Sequence, residues 1–208
     1  MNAILKVRFF LVDLMGEWRR AGFRVALRHL LCKVFERPEN LLYACRAMAT
    51  EPGLPSGWTI HALDSEADPK VALARQCGQP LANHHFRQGA TAFVLFIGDE
   101  AVGHRWHFRG HPLARRLGPE VAYFGDAFVR PAWRGRNISG LVLHHMLAQL
   151  PTGSRAVMEV EMSNTPSQRS LVRNGCVLMG RVRTTVLFNR ILSVRILPQS
   201  EHPDGKRD

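Results

Sequence analysis

The chain has 208 residues, 46% of them hydrophobic and 22% charged, with 17 Gly and 12 Pro. That balance excludes collagen-like, low-complexity and largely disordered chains, and the length can bury a sizeable core. Its 28 Lys and Arg against 17 Asp and Glu leave +11, a charge that attracts nucleic acid, acidic membrane, phosphorylated cofactors or acidic proteins.

Residues 1–37 carry eight Lys and Arg against three Asp and Glu. The run Phe9-Phe10-Leu11-Val12 is bracketed by Lys6, Arg8, Asp13 and Glu17, too tightly for a spanning helix. No small-residue cleavage site follows a clean apolar core, so a signal peptide is not expected. Trp18, Phe23, Ala26, Leu27, Leu30, Leu31 and Val34 recur near helical spacing, with Arg19, Arg20, Arg24, Arg28 and Lys33 mostly on the other face. We read residues 1–50 as a basic amphipathic helical arm. Its apolar stripe packs on the main domain, lies in a membrane interface or forms a dimer contact. Pro38 and the segment Glu51 to Gly57 mark the breaks after it.

Trp58 to Leu63 reads as a short strand and Pro69 to Leu81 as a helix. Thr91 to Ile97 is an unbroken run of β-formers, the pattern of a strand buried on both faces. Gly98-Asp99-Glu100 is turn chemistry, so Ala101 to Phe108 returns antiparallel as a hairpin. Val121 to Val129 is another apolar strand, leading through Arg130-Pro131 into a helix that carries Ile138, Leu141, Val142, Met146 and Leu150. Ala156 to Met162 alternates as a strand, Asn164-Thr165-Pro166 opens a second helix closed by Gly175, and a last strand runs from Val177 to Phe188. The tail, 198–208, is polar. The order specifies a mixed α/β domain over 58–190.

Cys32, Cys45, Cys77 and Cys176 show no CxxC-like pair. We read them as reduced, mostly buried thiols of a cytoplasmic protein, which excludes a small disulfide scaffold and argues against structural zinc. His104 and His107 diverge on a strand, and the pairs His84-His85 and His144-His145 diverge as well, so no metal is expected. Nor is nucleic acid, since charge stands without a stacking platform or a helix-turn-helix.

The strand–loop–helix junction at 129–140 is the sharpest chemical feature. A helix start with unpartnered amides binds phosphate, and Arg134 and Arg136 add charged donors. Together, F-V-R-P-A-W-R-G-R-N-I-S (128–139) and Asn164-Thr165-Pro166-Ser167 through Gly175 resemble the coenzyme A motif and the Asn-x-x-Ser helix of the GNAT N-acetyltransferase superfamily. The hairpin 91–108 resembles the paired strands upstream. Asn137 and Ser139 stand where the family carries glycines, Leu171 where many members carry an acid tyrosine, and Cys176 where Phe is usual, read as a packing change.

The resemblance implies a GNAT-like acyltransferase fold and direct attack by an amine on an acyl-CoA thioester. Acetyl-CoA, or a longer acyl-CoA, would lie between strands 121–129 and 156–162. The backbone of Phe128 and Val129 would hold the pantetheine; Arg134, Gly135, Arg136, Asn137, Ile138, Ser139 and Gly140 would cradle the pyrophosphate; Asn164 and Ser167 would complete the cofactor arm. Asp126, on an otherwise apolar strand, is the candidate base, expected to be buried with a raised pKa. Glu120, Tyr123, His104 and Glu161 are the alternatives to Asp126 as base, and Tyr123 is also the candidate displaced acid. The arm followed by V-G-H-R-W and F-G-D-A-F-V-R-P-A-W-R-G resembles members found with bacterial polysaccharide genes, which implies an amino-sugar acceptor and an arm at the inner membrane face. Two alternatives keep the fold: a long-chain donor on an acidic acyl carrier protein, suited to the +11 charge, or a silent acyl-CoA-binding module.

Overall fold

A seven-residue run of β-formers without a polar face can be satisfied only inside a sheet. In the computed structural model Thr91–Ile97 forms strand β4, buried except at its last residue. The structure describes residues 35–36, 39–51, 53–187 and 190–198. Gly98, at φ +57, turns the chain, and β5 (Glu100–His107) returns antiparallel as the hairpin chemistry required. β3 (Trp58–Leu63) flanks β4 on its other side.

The described residues form two compact units, 40–182 with 196–198, and 35–39 with 183–195. In the larger, the strand order is β8-β2-β7-β6-β5-β4-β3, with β2 (Glu39–Arg46), β6 (Val121–Val129), β7 (Arg155–Glu161) and β8 (Val177–Leu187). β6 and β7 are parallel, whereas β2–β7, β3–β4, β4–β5 and β5–β6 are antiparallel. In the smaller unit β1 (Phe35–Glu36) pairs with the end of β8, β9 (Arg190–Pro198) also pairs with β8, and Arg183 donates to Glu39 at 2.8 Å.

The helices described are α1 (Pro69–Gln76), α2 (Asn83–Arg87), α3 (Pro112–Leu117), α4 (Ile138–Ala148) and α5 (Thr165–Arg173). Asp68, His111 and Asn164 cap α1, α3 and α5, accepting from Lys70, Leu113 and Ser167, with Pro in each first turn. On one face of the sheet, Ile138, Val142, Leu143, Met146 and Leu147 of α4 pack on Phe93, Leu95, Phe124 and Met158. On the other, Val71 and Ala74 of α1 and Phe86 of α2 cover Ala92, Val94, Phe96 and Trp106. Each of the Val, Leu, Ile, Met and Phe side chains among them contributes about 1.5–3 kcal/mol by leaving water.

Four expectations are corrected. The helix from Pro69 stops at Gln76, because Gly78 takes φ +83 and Gln79 turns inward to donate to the Ala101 carbonyl at 3.1 Å. The helical arm does not extend to residue 50: Leu42, Tyr43 and Cys45 are buried in β2, a strand between β7 and β8. Its remainder, 1–34, lies outside the described residues. The chain also adds β9 after the last strand expected. Finally, Cys45 and Cys176 form a disulfide, Cα atoms 4.6 Å apart across 131 positions, so Cys176 is more than a packing change and two of the four thiols are not reduced. Cys77 is free. No helix among the described residues is long and apolar enough to cross a membrane.

Candidate active site

Strands β6 and β7 match for three pairs only, Val121–Arg155, Ala122–Ala156 and Tyr123–Val157. Beyond them β6 bulges. Against β5 its register runs Val129–Gly103 and Phe128–His104, then Gly125–Trp106, one residue more than β5 supplies. Asp126 takes φ +41 there, a conformation that strains a residue with a Cβ. The bulge bends β6, and the two strands part into a fork.

Backbone direction decides what faces it. The Arg130 amide donates to Val102 of β5 at 3.0 Å. Strand alternation then turns the Phe128 backbone toward β5 and the Val129 amide and carbonyl into the fork. Of the two positions expected to hold pantetheine, only Val129 presents its backbone there. Its carbonyl accepts from Arg134 Nε at 3.2 Å.

At the fork's mouth, a 3-10 turn (Pro131–Trp133) and Gly135, at φ +82, deliver the chain into α4. Glu100, at the hairpin tip, anchors this loop by accepting from Arg130 and, at 3.2 Å, from Trp133 Nε1; Arg136 lies 4.7 Å over the Trp133 ring. Asn137 occupies the N-cap of α4 at φ +56, but its side chain does not cap the helix. It exchanges hydrogen bonds with Asn174 instead, at 3.3 and 3.1 Å. Gly140 makes room for that pair, because a Cβ there would overlap both carboxamide oxygens. No side chain therefore caps the first amides of α4, and the positive end of its dipole is uncovered. The Ile138 side chain is buried, leaving only its backbone for a ligand.

Beneath this turn lies Arg105 of β5, 5% exposed, donating to Ser139 Oγ at 2.9 Å. Its Nε is buried with no partner. Burial lowers its pKa to about 10, so it remains a cation at neutral pH. Asn164 spends its carboxamide oxygen on the Ser167 amide at 3.2 Å, and Leu171 is buried in the core, where no acid stands.

The opposite face of the fork holds titratable groups. Asp126 is 63% exposed, which corrects the expectation of a buried carboxylate. Because the bulge turns it out of the strand's alternation, its Oδ2 meets His85 Nε2 at 2.7 Å. His85 is mostly buried between Trp106 and Phe108, each 4.8 Å away, and burial lowers its pKa against the opposing pull of Asp126. Tyr123 stacks on His111 at 3.6 Å and hydrogen-bonds Glu159. Burial pushes the phenol well above its ordinary pKa. Glu159 is raised by burial too, against hydrogen bonds from Asn40, at 3.1 Å, and Tyr123.

The alternatives stand apart from this group. Glu120 pairs with Arg155 at 3.9 Å, Glu161 is exposed at the end of β7, and His104 is buried against Gln79 at 2.7 Å with its pKa lowered to about 4. Among the described residues no group of three His, Cys, Asp or Glu side chains is placed to hold a metal. A cavity of about 290 Å³ lined by Phe93, His107, Phe124 and Met146 lies toward the C-terminal end of α4, away from its first turn.

Sequence reasoning missed Arg105, His85, Glu159 and Asn40. A charged residue between His104 and Trp106 in the return strand of the hairpin was the available signal for Arg105. His85 offered none, since its partner is 41 positions away.

Comparison with known proteins bears on the fold and the family. Residues 57–175, more than half of the chain, match the sequence profile of the Acetyltransferase (GNAT) family. A GNAT-family protein from Novosphingobium aromaticivorans superposes with TM-score 0.51 at 18% identity, over 72% of this chain and 65% of that one. A Drosophila protein gives 0.51 at 16%, over 81% and 58%, and a tandem GNAT protein of the clavulanic acid biosynthesis pathway gives 0.51 at 15%, over 73% and 54%. The chain thus spans between about half and two thirds of those structures, and at these identities they share its fold alone. No curated protein sequence matches it. On the strength of the profile match over 57–175, the chain belongs to the GNAT acetyltransferase family.

Proposed function

We propose that this protein transfers an acyl group from an acyl-CoA to an amine. The observation that carries the reading is the fork between β6 and β7, with the Val129 amide turned into it and the uncapped start of α4 at its mouth. The fork suits a linear, amide-bearing arm, and the helix start with Arg134 and Arg136 suits its phosphates. Acetyl-CoA is the donor and a primary amine the acceptor, an amino sugar being the class suggested by the resemblance to polysaccharide-associated members.

The amine nitrogen attacks the thioester carbon, the new C–N bond forms and the C–S bond breaks. Asp126 takes the amine proton: its carboxylate is open to solvent and held by His85. Tyr123 is the candidate proton donor to the leaving thiolate, its hydroxyl directed by Glu159; burial makes it a weaker acid than a free phenol, and the proton it gives up is restored from solvent. A second reading has support in the exposed Arg134, Arg136, Arg169 and Arg173. This basic rim suits an acidic acyl carrier protein presenting a longer chain. The arm, 1–37, is the candidate membrane contact.

The test is thiol release by the full chain from acetyl-CoA across a panel of amines, alongside thermal unfolding with acetyl-CoA, CoA, palmitoyl-CoA and acyl carrier protein. A saturating ligand at a hundred times its Kd stabilises by about 2.7 kcal/mol. Stabilisation by acetyl-CoA with amine-dependent thiol release supports the reading. Stabilisation without turnover on any amine leaves a binding module, response to the carrier protein alone selects the second donor, and no response overturns both.

A further inference from the structure

The Arg105 guanidinium lies under the first turn of an 11-residue helix, and two sources of positive potential there face each other. One is the uncapped start of α4; the other is a cation 95% buried, since the residue is 5% exposed. A buried charge is retained only when it is paired or hydrogen-bonded. Among the described residues Arg105 meets no carboxylate; its one hydrogen bond goes to Ser139 Oγ, and its Nε has no partner. The arrangement is electrostatically incomplete, and an anion at the helix start completes it.

Hydroxyl chemistry adds a direction. Ser139 Oγ accepts from Arg105 Nη2 at 2.9 Å, so its own proton must be donated elsewhere. Ser139 is half-buried in the first helical turn, and the amides beside it are free of any side-chain cap.

We propose that Arg105 is a positioning residue that acts through Ser139: it holds the hydroxyl as a donor to the pyrophosphate of the acyl-CoA. A side-chain donor backed by a buried cation thereby does here what close approach of glycine backbone does elsewhere in the family. Arg105 stays shielded from solvent and from salt, so its charge is spent on one anion. The inference rests on the reading that acyl-CoA lies at this helix, and it assigns the residues that select for the pyrophosphate.

The experiment compares binding of CoA with binding of pantetheine, which lacks the pyrophosphate, to the full chain by calorimetry. Wild type should prefer CoA. Ser139→Ala should weaken CoA about tenfold and leave pantetheine unchanged, and Ser139→Thr should restore the preference. Arg105→Met should lose a similar factor, and Arg105→Met/Ser139→Ala little more than either alone, because the two act as one unit. If Arg105→Met does not fold, the serine variants still decide. Ser139→Ala with the wild-type preference intact overturns the inference while the acyl-CoA reading stands. Equal loss for both ligands overturns it in favour of a structural role. Wild type that binds neither ligand overturns the reading and the inference together.

Discussion

The two sides of the fork are built from different kinds of charge. Toward α4 the cations are guanidinium groups, Arg105, Arg134 and Arg136, together with a helix dipole. Across the bulge stand two carboxyl groups, two imidazoles and a phenol, Asp126, Glu159, His85, His111 and Tyr123, the side-chain types that serve as general acids and bases. One residue in an unusual backbone conformation, Asp126 at φ +41, separates them. On the proposed function, grip on the donor and chemistry on the acceptor should be open to independent perturbation. Donor affinity should be nearly flat in pH, and turnover should not be.

The largest expected effect falls on the titratable side. Asp126→Asn should lower kcat by about 10²–10⁴-fold, with calorimetry showing unchanged CoA affinity. A loss confined to CoA affinity would erase the distinction between the sides. On the α4 side, the Cys45–Cys176 bond spans 131 positions, with Cys45 Sγ 3.8 Å from the Asn174 backbone carbonyl. Cys45→Ser should destabilise by about 2–5 kcal/mol in denaturant titration. Reductant should do the same to wild type, and an unmoved midpoint under reductant would deny the disulfide that role.

His104 provides a stability test in pH. Its pKa is lowered to about 4 by burial first and by Arg105 and His85 next. Between pH 6.5 and 4 the unfolded chain therefore takes up a proton that the native fold does not. Stability should fall as pH drops through that window and level off below it, by up to about 3 kcal/mol. His104→Gln should flatten the slope; an identical slope would place the acid sensitivity elsewhere. Gly140→Ala crowds the Asn137–Asn174 pair, for about 1–3 kcal/mol, with weaker CoA binding and unchanged response to the amine. The smallest effect is Arg134→Ala. This exposed side chain should change CoA affinity a few-fold at low salt and less at high salt.

Much of the frame was legible because its signals are local. β4 declares itself by six consecutive apolar residues after Thr91, the hairpin by Gly98, and α5 by Asn164 and Pro166. The junction at 129–140 was legible too, as loop chemistry placed before a helix. What stayed hidden depends on register and on distance along the chain. The bulge at Asp126 exists only relative to β5, so Asp126 was read as buried when its side chain leaves the strand's alternation. β2 was absorbed into a helical arm because its partner, β7, lies more than a hundred residues away. The disulfide was invisible for the same reason. Arg105 was visible as a residue, yet its meaning came only from what lies above it.

The fork has a consequence for which partners can enter the sheet. Strand edges at a sheet's rim are open to any passing segment, which is how proteins aggregate. Here the unmatched backbone of β6 lies in the interior, walled by β7 on the far side. On the proposed function, a segment entering there would meet the start of α4 on one face and Asp126, Tyr123 and Glu159 on the other. Placing the unmatched backbone inside the sheet would then reserve its hydrogen bonds for a ligand slender enough to lie between β6 and β7.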